Sequence, residues 1–355
     1  MPALQNVAVV GQGYVGLPLA HSLVEAGYRV FGIDTNEARV QTISSGESPI
    51  EDISHSQIQK MLSSGNYNIT SDFKQLSEVD ISVICVPTPV DLENKPDLSA
   101  LNSASAAIAR FAKPGSLIIN ESTSFPGTVR YVIGEIFAKE RPGVDFDFAC
   151  APERVDPGNK KWGHSNTPRL VGALSDRALS RARSFYSDIC KEVVVVSSPE
   201  VAEFAKLLEN SFRQVNIALI TEMADLARNS GVNIHEVIEA ASTKPYGFMK
   251  FVPSIGVGGH CIPVDPMYLS WFAKQKGQNV EIIDLAQKIN ENQPKNVAIR
   301  VEEILENQHG RILIVGMGYK AQTSDLRESP SVEVYEILKS RGHEVKWRDS
   351  LVKEF

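Results

Sequence analysis

The sequence predicts an α/β protein: a doubly wound parallel sheet at the N-terminus, a central long-helix region, and an incomplete second domain of the first kind. Three observations predict it. Short apolar runs bounded by turn residues alternate with helical patterns between residues 7 and 196. One long amphipathic pattern follows, from Pro199 to residue 228. An apolar run at residues 311–315 then leads into a glycine turn, Gly316-Met317-Gly318.

Residues 7–10 read as the first buried strand. The turn at residues 11–16 opens a helix that continues to residue 26, with Gly27 as its C-cap. Further strands are predicted at 29–33, 81–86, 116–120, 146–149, 170–172 and 192–196, with helices at 99–111 and 128–139 among them. Gly231 breaks the long helix, and a second helix covers 234–241. Residues 243–266, rich in glycine and proline, read as a loop carrying Cys261. Helices at 280–291 and 295–307, strand 311–315, helix 331–340 and strand 344–347 complete the chain. Two strands with one crossover bury too little to stand alone. The last region is therefore expected to be truncated at Phe355 or docked on something else. The expected domains are residues 1–198, 199–295 and 296–355.

A chain of 355 residues can build two or three cores. Its hydrophobic content of 43% and charged content of 22% are those of a globular protein. A net charge of -7 offers no basic field to nucleic acid or an anionic membrane. No apolar run approaches the ~20 residues of a membrane span, and residues 1–6 lack a signal-peptide pattern. Cys85, Cys150, Cys190 and Cys261 lie far apart without CxxC spacing and read as reduced thiols. A cytoplasmic location is the expectation.

Gly11-Gln12-Gly13-Tyr14-Val15-Gly16 fits GxGxxG, between a strand and a helix as the motif requires. Gly11 permits the tight turn, Gly13 lets a pyrophosphate approach the backbone, and Gly16 lets the helix pack on the sheet. The helix N-terminus offers its unpaired N–H groups to the phosphates. Asp34 ends the second strand, where a carboxylate accepts from ribose hydroxyls and repels a 2′-phosphate. The first domain is thus Rossmann-like with NAD as cofactor, and the last region is an incomplete second Rossmann-like domain. Arg39 keeps NADP open, and flavin is the lesser option.

Four segments carry candidate chemistry. Residues 121–128 (ESTSFPGT) and 151–155 (APERV) each follow a buried strand, where ligands of doubly wound sheets gather. Lys206 and Asn210 share a helix face at i, i+4. Cys261 and Asp265 lie on the glycine-rich loop. Taken singly, each has a plain reading: Lys206 as a solvated charge, Cys261 as a small core residue, Glu153 as an ion-pair partner of Arg154 or Arg169. His260, Cys261 and Asp265 lack a usual zinc spacing and a fourth ligand, so no metal is expected. In combination with a dinucleotide fold, a poised thiol suggests an oxidation that passes through a covalent thioester.

These motifs together resemble the UDP-glucose/GDP-mannose dehydrogenase family. The resemblance rests on residues 11–18 (GQGYVGLP), 86–89 (VPTP), 121–128, 152–154, Lys206 with Asn210, 258–266 (GGHCIPVDP) and 325–330 (DLRESP), in the family's order over essentially the whole chain. Within the family, residues 243–248 (TKPYGF) followed by the GGHC loop are most similar to UDP-N-acetylglucosamine 6-dehydrogenases. The resemblance implies oxidation of the C6 alcohol of a UDP-sugar to the uronic acid in two hydride transfers, for polysaccharide synthesis. UDP-glucose and UDP-N-acetylmannosamine are the alternatives. It implies Cys261 as nucleophile, Lys206 and Asn210 as oxyanion stabilisers, Asp265 on the hydrolytic water and Glu153 in acid–base work. Thr123 is implied to touch cofactor and water. Pro87, Thr88 and Arg327 are implied as cofactor contacts. Arg154, Val155, Gly256, Gly258, Gly259 and Lys320 are implied on the substrate side, with Glu153, Lys206 and Asn210. Family members continue past residue 355, so much of the uridine pocket is expected to be absent.

Two other classes stay open. A β-hydroxyacid dehydrogenase shares the fingerprint and the helix lysine but transfers one hydride and needs no thiol. A truncated non-catalytic paralogue would bind NAD without turnover. A homodimer built across the long helix is the expected assembly.

Overall fold

The computed structural model describes residues 5–91, 93–155, 161–321 and 323–355. The chain divides into two compact units, Met1–Asp91 with Pro96–Leu207, and Leu92–Lys95 with Leu208–Phe355. Among the described residues no helix is long and apolar enough to cross a membrane.

The first unit begins β1 (Asn6–Val10), α1 (Gly16–Glu25), β2 (Arg29–Ile33), α2 (Glu37–Ser44), α3 (His55–Ser63) and β3 (Tyr67–Thr70). It continues β4 (Ile81–Ile84), α4 (Ser99–Phe111), β5 (Leu117–Asn120), α5 (Gly134–Glu140), β6 (Asp147–Cys150), β7 (Arg169–Ala173), α6 (Asp176–Ser187) and β8 (Val193–Val195). A π-helical turn, Val129–Ile133, leads into α5. The eight strands order as β3-β2-β1-β4-β5-β6-β7-β8. The pleat sends Val7 and Val9 to one core and Ala8 and Val10 to the other. Both faces are covered by helices, so β4 and β5 are buried at every residue.

The sheet departs from the expected all-parallel arrangement at one place. β7 runs antiparallel to β6, pairing Ala149 with Ala173 and Cys150 with Gly172. Parallel neighbours need a crossover, usually a helix; the connection between β6 and β7 carries no helix among its described residues. Gly172 is required on β7, since a Cβ there would lie 2.2 Å from the Ser198 carbonyl oxygen. Sequence periodicity also passes over α2, α3, β3 and α6. β3 and α2 are short, and the exposed faces of α6 dilute its apolar stripe.

The second unit holds α7 (Pro199–Asn229) from Leu208 onward, α8 (Ile234–Ser242), α9 (Asp265–Gln275), α10 (Glu281–Ile304), β9 (Arg311–Val315), α11 (Pro330–Ser340) and β10 (Glu344–Arg348). The expected loop at 243–266 thus ends in a helix whose first residue is Asp265. The two helices expected on either side of Pro294 are one, α10, with Pro294 buried inside it. A proline costs a helix one hydrogen bond; here its ring packs beside Gly256. β9 and β10 pair in parallel. Ala298 of α10 and Val334 and Leu338 of α11 cover one face through Ile312, Ile314 and Val345. The other face leaves Leu313 and Val315 exposed.

Candidate functional site

The first glycine turn is built by steric necessity. Gly11 has φ +96°, and a Cβ there would meet the Cys85 carbonyl oxygen at 2.4 Å. A Cβ on Gly16 would meet the Gly11 carbonyl oxygen at 1.8 Å. Gly13 faces open space with nothing within 4 Å of its Cβ position. Two glycines therefore serve chain packing, and the third leaves room for a phosphate group. Val15 sits at the N-cap of α1, and the Tyr14 hydroxyl reaches Glu51 at 3.3 Å.

Asp34 is the hub of this turn. Its carboxylate accepts from the Gln12 amide at 2.8 Å, the Asn36 amide at 2.9 Å and Arg39 Nη1 at 2.9 Å. The Gln12 side chain is buried and engaged within the fold. It donates to the Val9 carbonyl at 2.8 Å and accepts from the Tyr67 hydroxyl at 2.7 Å. Tyr67, on the overlooked β3, is thereby a brace of the site, and burial pushes its phenol above the usual range. Gly32 keeps that brace possible, because a Cβ there would lie 2.5 Å from the Tyr67 hydroxyl. The turn, its open second glycine and the acid at the end of β2 fit the pyrophosphate and ribose of NAD. Arg39 is already neutralised by Asp34.

Beyond β4 and β5 the loops are tied together. Pro87 lies in the extended segment after β4. The Thr88 hydroxyl donates to the Thr123 carbonyl at 2.7 Å, and the Ser122 hydroxyl to the Val86 carbonyl at 2.8 Å. Thr123 is thus held by its backbone, at the same sheet end as the glycine turn.

Glu153 is placed as an ion-pair partner as well as a candidate base. Its Oε1 accepts from the Arg154 and Val155 amides, each at 2.6 Å, and its Oε2 accepts from Arg169 Nη2 at 2.7 Å. His164 Nδ1 stands 3.1 Å from Oε2, close enough for charge but out of hydrogen-bond line. Burial opposes ionisation, yet Arg169, His164 and the amides outweigh it and hold the carboxyl well below its ordinary range. Glu153 is therefore a carboxylate at neutral pH, able to accept hydrogen bonds but a weak base. Arg169 also reaches Glu121 Oε2 at 3.4 Å, and the Tyr186 hydroxyl donates to Glu121 Oε1 at 2.5 Å. Burial raises the Glu121 carboxyl against the pull of Arg169. Arg154 Nη1 donates to the Pro168 carbonyl at 2.8 Å.

Lys206 and Asn210 are both buried on α7. In the second unit, Asn210 Nδ2 donates to Asp265 Oδ2 at 2.5 Å. Asp265 opens α9, where the helix dipole favours a carboxylate. The carbonyl of Cys261 accepts the Asp265 amide at 2.8 Å, so the half-buried thiol sits one turn ahead of the acid. Gly256, Gly258 and Gly259 lean on neighbouring chain. Their Cβ positions fall 2.9 Å from Pro330, 2.6 Å from the Glu328 carbonyl oxygen and 2.6 Å from the Tyr319 ring. The Gly259 amide donates to the Arg327 carbonyl at 3.1 Å. The Arg327 guanidinium is engaged by Asp325. The sequence reading missed Tyr319; the run of glycines was the available sign of a ring packed against backbone.

The second glycine turn repeats the wiring of the first. Gly316 N donates to the Arg348 carbonyl at 2.9 Å, and Met317 N to Asp349 Oδ2 at 2.7 Å. The space over the turn differs. A Cβ on Gly318 would strike the Thr323 carbonyl oxygen at 2.5 Å, so the loop bearing Lys320 fills the place that stays open over Gly13. Asp349 also accepts from Gly318, Leu351 and Val352 amides. These backbone hydrogen bonds lower its carboxyl to about 2.

Two outcomes follow from these geometries. Asp34→Asn keeps an acceptor for the turn but frees the Arg39 charge, so the preference for NAD over NADP in kcat/KM falls about tenfold or more; an unchanged ratio would refute the assignment. Asp349 has a folded pKa below its unfolded value, so its contribution to stability is complete above pH 3.8 and is lost as pH falls from there toward about 2. The melting temperature of Asp349→Asn therefore lies below that of the parent at pH 7, and the gap closes as the pH approaches about 2.

Comparison with known proteins identifies the family. Three domain models of the UDP-glucose/GDP-mannose dehydrogenase family match in order: NAD binding domain, residues 5–190; central domain, 200–292; UDP binding domain, 313–355. A UDP-N-acetyl-D-mannosamine dehydrogenase from Methanocaldococcus jannaschii is 34% identical over 357 residues, covering 99% of this chain and 80% of that one. A UDP-N-acetyl-D-glucosamine 6-dehydrogenase from Pseudomonas aeruginosa is 33% identical over 340 residues, covering 93% and 79%. The solved UDP-D-ManNAc dehydrogenase from Pyrococcus horikoshii superposes with a TM-score of 0.91 at 35% identity, covering 98% and 84%. The chain belongs to the UDP-glucose/GDP-mannose dehydrogenase family and is an NAD-dependent nucleotide-sugar dehydrogenase.

Proposed function

We propose that the chain oxidises the C6 primary alcohol of a UDP-2-acetamido sugar to the carboxylate, with UDP-N-acetylmannosamine as the preferred substrate. The sequence alone favours UDP-N-acetylglucosamine; similarity to mannosamine dehydrogenases moves the preference to its 2-epimer. The observation that carries the reaction is Cys261 one turn ahead of an Asp265 that Asn210 holds. Bound NAD supplies a hydride acceptor, held by Gly11, Gly13, Gly16 and Asp34. Lys206 and Asn210 stabilise oxyanions at C6. The Cys261 thiolate adds to the C6 aldehyde, forming a C–S bond and a carbon that can lose a second hydride. Water, held by a hydrogen bond to Glu153, then adds to the thioester and gives its proton to Asp265, and the C–S bond breaks to return the thiolate. The sum is one alcohol and one water to one carboxylate, with two hydrides and three protons released. Arg154, Val155, the Gly256–Gly259 backbone and Lys320 serve the substrate, and Arg327 and Thr123 the cofactor. The domain roles follow as cofactor binding (1–198), catalysis and assembly (199–295) and nucleotide-sugar binding (296–355).

The test is NADH formed per sugar with UDP-N-acetylmannosamine, UDP-N-acetylglucosamine and UDP-glucose offered separately. Two NADH per sugar, fastest with the first, supports the reading. One NADH points to single oxidation, and none to a non-catalytic NAD-binding chain. Cys261→Ala should lower complete oxidation about a thousandfold or more while NAD still binds.

We also propose a homodimer through α7. Exposed Val201, Phe204, Leu208, Phe212, Leu219 and Leu226 recur at helical spacing along it. A second copy laying the same stripe against it would cover them. Sedimentation of a dimer at micromolar concentration is expected, shifted to monomer by Leu208→Glu; a parent that sediments as a monomer defeats the proposal.

A further inference from the structure

The mechanism leaves one buried acid unused. Glu203 lies on α7 three residues before Lys206 and is 2% exposed. Its Oε2 accepts from the Gly127 amide at 2.6 Å and its Oε1 from the Val129 amide at 2.9 Å. Those amides open the helical segment that runs through the π-turn into α5. A serine or threonine of the segment itself is the usual cap, but Thr128 spends its hydroxyl on the Phe125 carbonyl at 2.7 Å. The cap comes instead from another element. It is costly: burial raises the Glu203 carboxyl to about 8, against the two amides. Cys150 of β6 also faces it, and Glu203 is the largest charge acting on that buried thiol. Arg130 and Glu200, which pair with each other at 2.6 Å, are the remaining charges around it.

The cost falls where it has a use. The segment 122–129 is tied at its start by the Thr88–Thr123 and Ser122–Val86 hydrogen bonds. Asn120 Nδ2 adds a third tie, to the Ser122 carbonyl at 3.0 Å. Glu203 ties its other end to the turn of α7 that carries Lys206. We propose that Glu203 is a positioning residue, latching the Thr123 loop to the Lys206 turn so that both act on one reacting group. The proposal rests on the reading of Thr123 and Lys206 given above.

Full-length Glu203→Gln and Glu203→Asp decide it, with Glu200→Gln as control. At a pH above its pKa of about 8 Glu203 accepts through both oxygens; there an amide can accept from only one of the two N–H groups, and the shorter acid cannot reach both. Hydrogen exchange at residues 125–130 should quicken in both variants while the strands stay protected. The kcat should fall about 10- to 100-fold, with KM for the UDP-sugar within about threefold of the parent. Glu200→Gln breaks the adjacent surface pair between the same two elements and should leave kcat unchanged. Loosened exchange with unchanged kcat, or an equal loss in Glu200→Gln, would reduce Glu203 to a structural cap and overturn the proposal. Unchanged exchange would overturn it as well. If Glu203→Gln fails to fold, Glu203→Asp decides alone. A parent chain that yields no NADH with any UDP-sugar would overturn the functional reading together with the latch; an active parent with equally active variants would overturn the latch alone.

Discussion

Arg169 is the residue on which the first unit's working end depends. It is 3% exposed and sits between two buried carboxylates, Glu121 after β5 and Glu153 after β6. It also donates toward the Ala151 and Pro152 carbonyls, and its guanidinium lies over the Tyr186 ring. Three charges removed from water are tolerable only while each has its partners; losing one partner of such a set costs about 3–5 kcal/mol. Arg169 therefore fixes the ends of two strands and the loops that carry Thr123 and Glu153. Its position explains the reversed strand. The β6–β7 register, continued beyond Cys150, sets Glu153 opposite Arg169. A parallel β7 would begin at the far end of the sheet and leave both acids unpaired.

This reversal also marks the limit of what the sequence discloses. The glycine fingerprint, Asp34 and the central strands were legible, because each is a local pattern with one physical reading. The direction of β7 was not, because apolar residues look alike in either direction and the deciding contact joins residues 121, 153 and 169. Pro294 misled for a related reason. It reads as a break, yet it stays inside α10 beside Gly256. Glu203 was legible in principle: three residues before Lys206, it lies on the helix face that Lys206 and Asn210 share. The thiol and its acid were visible in the motif, whereas the helix that starts at Asp265 hid behind the glycines and prolines before it.

The two glycine turns show how one local design takes two roles. Both end their first strand in a glycine whose amide binds the next strand, and both place an acid at the end of that second strand. In the first turn Asp34 accepts from two backbone amides and a side chain, with open space over Gly13. In the second, Asp349 accepts from four backbone amides and the chain itself lies over Gly318. A dinucleotide needs the space and the acid together. The second turn has lost the space and keeps an acid that serves the fold, so a UDP group there is left to residues other than the glycine turn.

Helix α7 keeps only part of the usual amphipathic order: it buries Ala202, Leu207 and Ala218, but a row of polar residues with them. Glu203, Lys206, Asn210 and Gln214 are buried, while Phe204, Leu208, Phe212 and Leu219 are exposed. A helix ordinarily buries its apolar stripe because that burial is its main source of stability. Here the buried polar stripe contributes through hydrogen bonds, from Glu203 to two amides and from Asn210 to Asp265. Such bonds are worth only about 0.5–1.5 kcal/mol each net, or about 1.5–3 when one partner is charged. The helix carries polar groups on its inner face and leaves much of its apolar area outside. That area yields stability only when another surface removes it from water, which is the physical ground of the dimer proposed across α7.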